Sequence, residues 1–140
     1  MTPRECVQGI YQAFEALDLE AVYELLDDNV TYQNMAQAPL HGKKALQEMW
    51  TGFDRIDKLD LKILNTAVND DVVMVERLDH LVLGGQDIFI PMVACFNVRD
   101  GLVVSWREYY DMATMEAQMG TAHPGSTLPD FTTYHQDKSL

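Results

Sequence analysis

The chain has 140 residues, a formal net charge of −12 at pH 7 and two cysteines. This length suits a single domain with one hydrophobic core. The negative charge argues against binding to nucleic acid or to an anionic membrane, because both interactions require a basic surface. Cys6 and Cys95 form neither a CxxC motif nor a disulfide framework. No signal peptide and no membrane-spanning run is recognisable, so a cytoplasmic protein is expected.

Helical patterns occupy the N-terminal part of the chain. Thr2, Pro3 and Glu5 are arranged as a capping box with proline in the first helical turn, and apolar residues then recur at helical spacing: Val7, Ile10, Tyr11, Phe14 and Leu17. Asp18 is predicted to cap a second helix. A third helix is predicted over residues 43–53, with an inward face formed by Leu46, Met49, Trp50 and Phe53.

One short strand is predicted between the second and third helices, and four longer strands are predicted after the third. Residues 27–29 (Asp-Asp-Asn) are predicted to break the chain before a short strand over residues 30–35. Four longer strands are predicted, joined by hairpin signals such as Gly84-Gly85, over residues 59–68, 72–83, 86–99 and 102–112. A short helical patch is predicted around residues 114–119.

Helices followed by a meander of antiparallel strands predict an α+β fold. A strongly curved sheet with three helices on its concave side would enclose a conical pocket. No linker or repeat divides the chain, so a single domain is expected over residues 1–120. Residues 121–140 are rich in Thr, Pro, Gly, Ser and His and are expected to form a packed loop or a disordered tail.

Charged residues interrupt the apolar inner face of the strand over residues 72–83. With a period of two, Arg77 and Asp79 share this face with valines and leucines on either side. An isolated buried charge is very costly, so the two side chains are expected to be hydrogen-bonded to each other or to have a function. From the spacing alone, a purely structural ion pair is an equally good interpretation.

The last predicted strand repeats this pattern, because Glu108 lies between the inward aromatic residues Trp106 and Tyr110. A bulge that shifted the parity by one residue would turn Tyr109 and Asp111 inward instead. The sequence therefore predicts a second inward carboxyl group, with Asp111 as the alternative to Glu108.

Tyr32 and Asn34 share one face of the short strand over residues 30–35, so five polar side chains could meet in one cavity. The four histidines show no metal-ligand spacing. Neither a metal nor another cofactor is expected.

These motifs together resemble the limonene-1,2-epoxide hydrolase family. The resemblance rests on three stretches: Tyr32-Gln33-Asn34-Met35, Glu76-Arg77-Leu78-Asp79 and Trp106-Arg107-Glu108-Tyr109-Tyr110-Asp111. It extends from the first helix to about Met119. It implies the cone-shaped α+β fold of the NTF2-like, or SnoaL-like, superfamily.

The resemblance also implies a role for each polar residue. Asp79 matches the general acid that protonates the epoxide oxygen, and Arg77 matches the arginine that bridges two carboxylates. Tyr32 and Asn34 match the pair that positions the attacking water. Glu108 stands where the family has an aspartate as base, and a shift of about 1 Å in such a group can cost on the order of 100-fold in rate. Asp111 has its own counterpart in the motif, which favours a non-catalytic role for it.

Two carboxyl groups in opposite protonation states can open an epoxide in one step, because one protonates the leaving oxygen while the other deprotonates water. The substrate is expected to be a small apolar epoxide of terpenoid, steroid or lipid type, since the expected wall is apolar: Met35, Phe53, Leu81, Ile90, Met92, Trp106 and Tyr110. The superfamily also hosts isomerases, polyketide-type cyclases and non-catalytic modules that bind an apolar ligand or a protein, so these remain alternatives.

Apolar residues on the opposite face of the strand over residues 72–83 predict a homodimer. A monomer would expose the even-numbered positions Val72, Met74, Leu78 and Val82. The resemblance implies the same arrangement, since relatives commonly pair through the sheet.

Overall fold

The computed structural model describes residues 1–35 and 37–119. The helices in these residues are α1 (Pro3–Glu15), α2 (Leu19–Glu24), α3 (Lys43–Met49) and α4 (Met112–Gln118). The strands are β1 (Leu26–Met35), β2 (Leu40–His41), β3 (Ile56–Asn69), β4 (Val72–Leu83), β5 (Gln86–Arg99) and β6 (Leu102–Tyr110). The predicted α+β class is confirmed. The predicted tail over residues 121–140 lies outside the described residues.

The six strands form one sheet in the order β2-β1-β6-β5-β4-β3. β1 and β6 are parallel, and the other neighbouring strands are antiparallel. The turn between β4 and β5 has positive φ at both Gly84 (58°) and Gly85 (79°). Glycine adopts this conformation at little cost, which explains the tight hairpin that the sequence predicts.

The first two helices begin where the sequence predicts. The Thr2 hydroxyl accepts a hydrogen bond from Glu5 N at 3.2 Å, and Thr2 N donates to the Glu5 carboxylate at 2.6 Å, which completes the capping box. Asp18 caps α2 by accepting a bond from Ala21 N at 3.1 Å. No helix within the described residues has the length and apolar character needed to cross a membrane.

The third helix is shorter than predicted. α3 ends at Met49, and a 3₁₀ turn (Phe53–Arg55) leads directly into β3. Gly52 lies between the two pieces, and glycine is a poor helix former because of its backbone freedom. β3 also begins earlier than predicted, since Ile56 already pairs with Leu83. Met49, which was expected to face inward, is 40% exposed.

β1 is longer than predicted, because residues 27–29 do not interrupt it. Leu26 pairs with Val103 of β6 and Thr31 pairs with Ser105, with a register irregularity between them. The irregularity lets the strand continue past this polar segment while its side chains stay at or near the surface. Tertiary pairing thus overrides the local preference of Asp and Asn for turns.

The core lies between α1 and one face of the sheet, here called the inner face. This face carries Val73, Val75 and Trp106, which are at most 1% exposed. Tyr11 of α1 packs edge-on against Phe96 of β5, with ring centroids 5.8 Å apart. The predicted parity of β4 and β6 is confirmed by this burial pattern, and it determines which side chains meet inside.

α4 is fixed to the end of β5. The Gln118 side chain accepts from Phe89 N at 2.7 Å and donates to Phe89 O at 2.6 Å. Phe89 lies near the N-terminal end of β5, beyond the last pair of this strand with β6, which joins Met92 to Tyr110. The amide group of Gln118 therefore takes the place of a neighbouring strand. This contact holds α4 where Met115 lines the cavity described below.

Candidate active site

Arg77 and Asp79 lie side by side on the inner face of β4. Although both are charged, they are only 4% and 6% exposed. The guanidinium donates from Nε to Asp79 Oδ1 at 2.7 Å and from Nη2 to Asp79 Oδ2 at 3.1 Å. This bidentate geometry is the strongest arrangement for an arginine and a carboxylate.

Glu108 reaches the same guanidinium from β6. It is 4% exposed, and its Oε1 and Oε2 lie 3.0 and 3.1 Å from Arg77 Nη2. β5 runs between β4 and β6, and Ala94 is the partner of Glu108 on that strand. Because the side chain of Ala94 ends at Cβ, it leaves room for Arg77 to reach across β5 to the glutamate.

Asp111, the alternative carboxyl group, points away from this cluster. It is the N-cap of α4, where Oδ1 accepts from Ala113 N at 3.0 Å and Oδ2 accepts from the Thr114 hydroxyl at 2.9 Å. Tyr109, its companion in the shifted parity, is 43% exposed. A helix cap accounts for Asp111 without a catalytic role.

Tyr32 and Asn34 extend the polar cluster on β1. The Tyr32 hydroxyl donates to Asn34 Oδ1 at 3.0 Å. Asn34 is the partner of Glu108 in the parallel ladder of β1 and β6, and neighbouring strands lie about 4.8 Å apart. Since Tyr32 occupies its carbonyl oxygen, Asn34 presents its NH₂ group as a donor beside the glutamate.

Tyr11 is a further partner of Arg77 that the sequence did not reveal. Arg77 Nη1 donates to the Tyr11 hydroxyl at 2.8 Å, and the guanidinium carbon lies 5.0 Å from the centroid of the ring. Burial raises the pKa of Tyr11, so its hydroxyl stays neutral and acts as an acceptor. The sequence signal of Tyr11 was a place in the apolar stripe of α1, which indicated a core residue and nothing more.

One guanidinium serves two buried carboxyl groups in this cluster. Burial raises the pKa of Asp79, and Arg77 opposes that effect. Burial likewise raises the pKa of Glu108, where Arg77 opposes the effect and the charge of Asp79 adds to it. Two carboxylates and one guanidinium would leave a net negative charge away from water, so the cluster favours keeping one proton. One carboxylic acid beside one carboxylate is the combination that acid–base catalysis requires.

The five polar residues line one cavity of about 310 Å³: Tyr32, Asn34, Arg77, Asp79 and Glu108. Six of the predicted wall residues line it as well: Phe53, Leu81, Ile90, Met92, Trp106 and Tyr110. The cavity is also lined by six residues that were not predicted as wall residues: Phe14, Trp50, Ile56, Leu59, Leu61 and Met115.

Met35 is the predicted wall residue that does not line this cavity. Its partner in the ladder is Tyr109, whose side chain is exposed on the opposite face of the sheet. Side chains alternate along a strand, so the inward direction of Asn34 turns Met35 outward. The expected place of Met35 in the wall is therefore wrong.

Within residues 1–35 and 37–119, no group of three or more His, Cys, Asp or Glu side chains is arranged to hold a metal ion. The charged groups of the cavity contact one another through Arg77. Together with the apolar walls, they can give a proton to one part of an uncharged substrate and take a proton from another.

Sequence comparison relates this chain to known epoxide hydrolases. The family model for the limonene-1,2-epoxide hydrolase (LEH) catalytic domain matches residues 1–120. Epoxide hydrolase EphG of Mycobacterium tuberculosis (strain ATCC 25618 / H37Rv) is 24% identical over 109 residues, which cover 78% of this chain and 73% of that protein.

Solved structures of other proteins have the same fold as this chain. An M. tuberculosis LEH-like epoxide hydrolase superposes with a TM-score of 0.70 at 26% identity, over 81% of this chain and 86% of that one. A putative polyketide cyclase from Xanthomonas campestris pv. campestris superposes with a TM-score of 0.75 at 24% identity, over 83% and 95%. The expected cone-shaped, NTF2-like α+β fold is confirmed, and the likeness to the cyclase shows the fold alone.

Proposed function

Because the chain belongs to the limonene-1,2-epoxide hydrolase family, whose model matches residues 1–120, we propose that it opens an apolar epoxide by one-step addition of water. The observation that carries the proposal is the bridge formed by Arg77 between the buried carboxyl groups of Asp79 and Glu108, in an otherwise mainly apolar cavity. This bridge supplies an acid and a base within reach of one small molecule.

In the proposed reaction, Asp79 begins as the carboxylic acid and Glu108 as the carboxylate. The water oxygen forms a bond to one ring carbon while the bond between that carbon and the ring oxygen breaks. Glu108 takes a proton from the water, and Asp79 gives its proton to the ring oxygen. The product is a vicinal diol, and the proton gained by Glu108 returns to Asp79 before the next turnover.

Tyr32 and Asn34 position the water in this proposal. Asn34 adjoins Glu108 across the β1–β6 ladder, and its orientation is set by the bond from Tyr32. A water that accepts from the Asn34 NH₂ group and donates to Glu108 would keep its remaining lone pair for the ring carbon. Such pre-orientation supplies a large part of the catalysis of bimolecular reactions.

The cavity supports an apolar substrate. A volume of about 310 Å³ lies at the lower end of the range for ligand sites. This size favours a compact terpenoid epoxide, or the epoxide-bearing part of a larger steroid or lipid.

The proposed function is tested with a panel of terpenoid, steroid and lipid epoxides in water labelled with ¹⁸O. We expect a diol that carries one labelled oxygen, formed equally in the presence of EDTA. The double variant Asp79→Asn/Glu108→Gln, in which both groups are amides, is the matched control and is expected to form none. The absence of diol from every epoxide in the panel, with folded wild-type protein, would refute the proposal.

The identity of residue 108 favours a second candidate function. Glu108 stands where the family has an aspartate, and the same acid and base acting on carbon would suit an isomerase or a polyketide-type cyclase. Such a reaction would give a rearranged product without label from water, so the same experiment separates the two candidates.

We also propose that two copies pair through the outer face of the sheet. Met74, Val93 and Tyr109 are 49%, 40% and 43% exposed on this face, and Val93 lies opposite Tyr109 in the β5–β6 ladder. Leu78, which was expected to contribute, is only 8% exposed. Contiguous exposed apolar groups of this kind commonly mark an interface.

Sedimentation at micromolar concentration is expected to show twice the chain mass of 15.9 kDa. Val93→Glu is expected to give the monomer, because it places a charge in the interface. Val68→Glu changes a residue that is 44% exposed but pairs with Val73 of the inner face, so it should leave the dimer intact. A monomeric wild type would contradict this proposal.

A further inference from the structure

Trp106 carries a hydrogen-bond donor without an acceptor in the part of the chain that is described. The residue is 1% exposed, and its Nε1 makes no well-formed hydrogen bond to any described residue. It lines the same cavity as Glu108 and stands two residues before it on the inner face of β6. Buried donors of this kind are rare, so each one calls for an explanation.

Arg77 shows the opposite imbalance. Its Nη2 has two hydrogens, yet its neighbours are Asp79 Oδ2 at 3.1 Å, Met92 Sδ at 2.6 Å, and Glu108 Oε1 and Oε2 at 3.0 and 3.1 Å. Two hydrogens cannot serve four acceptors well.

The shortage falls on Glu108 rather than on Asp79. Asp79 also receives the bond from Arg77 Nε at 2.7 Å, whereas Glu108 depends on a share of Nη2. Judged by Arg77 alone, Asp79 is the better stabilised anion, and Glu108 is the group that would hold the shared proton. The proposed reaction needs the reverse.

We propose that the indole N–H of Trp106 is the second donor to the Glu108 carboxylate and thereby places the shared proton on Asp79. This inference rests on the proposed function, in which Glu108 must be ionised to take a proton from water. It makes Trp106 a positioning residue that acts through Glu108. The pairing gives the Trp106 N–H an acceptor and gives the Glu108 carboxylate the donor that Arg77 alone does not supply.

Two further observations support this pairing. Burial raises the pKa of the Glu108 carboxyl group, and Trp106 is one of the groups that oppose this rise, as a donor to the carboxylate does. The indole is also held firmly, because its ring centroid lies 4.9 Å from that of Phe96, 5.1 Å from that of Tyr32 and 5.8 Å from that of Phe14. A donor fixed in this way needs little reorganisation during the reaction.

The contact is tested without any epoxide by NMR of the indole N–H signals. The chain has two tryptophans, so a Trp50→Phe variant assigns the signal of Trp106. We expect the Trp106 signal to shift with pH as Glu108 titrates, and this step to be absent in Glu108→Gln. A Trp106 signal that does not change with pH and is unaffected by Glu108→Gln overturns the proposal.

Kinetics test the consequence for catalysis. Trp106→Phe is expected to lower kcat/KM for epoxide opening by about tenfold, the loss for one hydrogen bond to a charged group. The acidic limb of its pH profile is expected to move to higher pH, because the Glu108 anion has lost a donor. In Trp50→Phe, which removes an indole from the same cavity wall, that limb should stay in place whatever happens to KM.

If Trp106→Phe lowered kcat/KM but left the acidic limb of the pH profile in place, Trp106 would contribute only through packing, and the proposal would be overturned. If Trp106→Phe does not fold, 3-benzothienylalanine at this position keeps the shape of the indole without its N–H, and the same shift is expected. A wild type that opens no epoxide but shows the NMR titration would refute the proposed function and leave the contact between Trp106 and Glu108 standing.

Discussion

Glu108→Gln is expected to lower epoxide hydrolysis by at least about 100-fold, the contribution of a positioned general base. The amide keeps the shape of a side chain that is 4% exposed, but it cannot take a proton from water. Azide is an anionic nucleophile that needs no base. Glu108→Gln is therefore expected to recover ring opening in azide and to form the azido alcohol, which mass spectrometry distinguishes from the diol.

Asp79→Asn is the matched control for this rescue. We expect a comparable loss of hydrolysis, because the ring oxygen no longer receives a proton, and no recovery in azide for the same reason. Circular dichroism establishes that both amide variants are folded. If azide restored ring opening in Asp79→Asn and not in Glu108→Gln, Asp79 would be the base and Glu108 the acid. If azide affected both variants equally, the assignment of one acid and one base would be contradicted.

Arg77→Met is expected to have the largest effect on stability. It removes the counter-charge of two buried carboxyl groups while keeping an unbranched apolar side chain. Breaking a buried ion pair from one side costs about 3–5 kcal/mol, because the remaining charge stays buried without compensation. The free energy of unfolding in urea at pH 7 measures this loss.

The loss in Arg77→Met should depend on pH. Burial raises the pKa of Asp79 and of Glu108, and without Arg77 nothing comparable opposes it. A group whose folded-state pKa is raised contributes its stability below its unfolded pKa, and that contribution disappears as the pH rises through the folded pKa. Arg77→Met is therefore expected to be closest to wild type below about pH 4 and to lose stability toward neutral pH.

The triple variant Arg77→Met/Asp79→Asn/Glu108→Gln is the control for this pH dependence. Its two amides cannot ionise, so the loss of stability between acidic and neutral pH should be absent. A loss in Arg77→Met that is the same at every pH would show that packing, and not uncompensated charge, is responsible.

The sequence by itself determined the fold class and the direction of most of the polar side chains. Alternation with a period of two placed Arg77, Asp79 and Glu108 on inner faces, because successive side chains of a strand point to opposite sides. Met35 was nevertheless expected in the wall, although the same alternation turns it away from the face that carries Asn34. The hairpin at Gly84-Gly85 and the cap at Asp18 were predictable because their physics is local.

Only the tertiary structure decided which of these side chains meet. The contact between Arg77 and Glu108 crosses 31 residues of sequence, and the contact between Arg77 and Tyr11 crosses 66. Both depend on strand order, on the register that sets Ala94 beside Glu108, and on how α1 packs across the sheet. The unpartnered N–H of Trp106 likewise became visible only when its surroundings were known, because hydrogen-bond satisfaction depends on distances that no local pattern encodes.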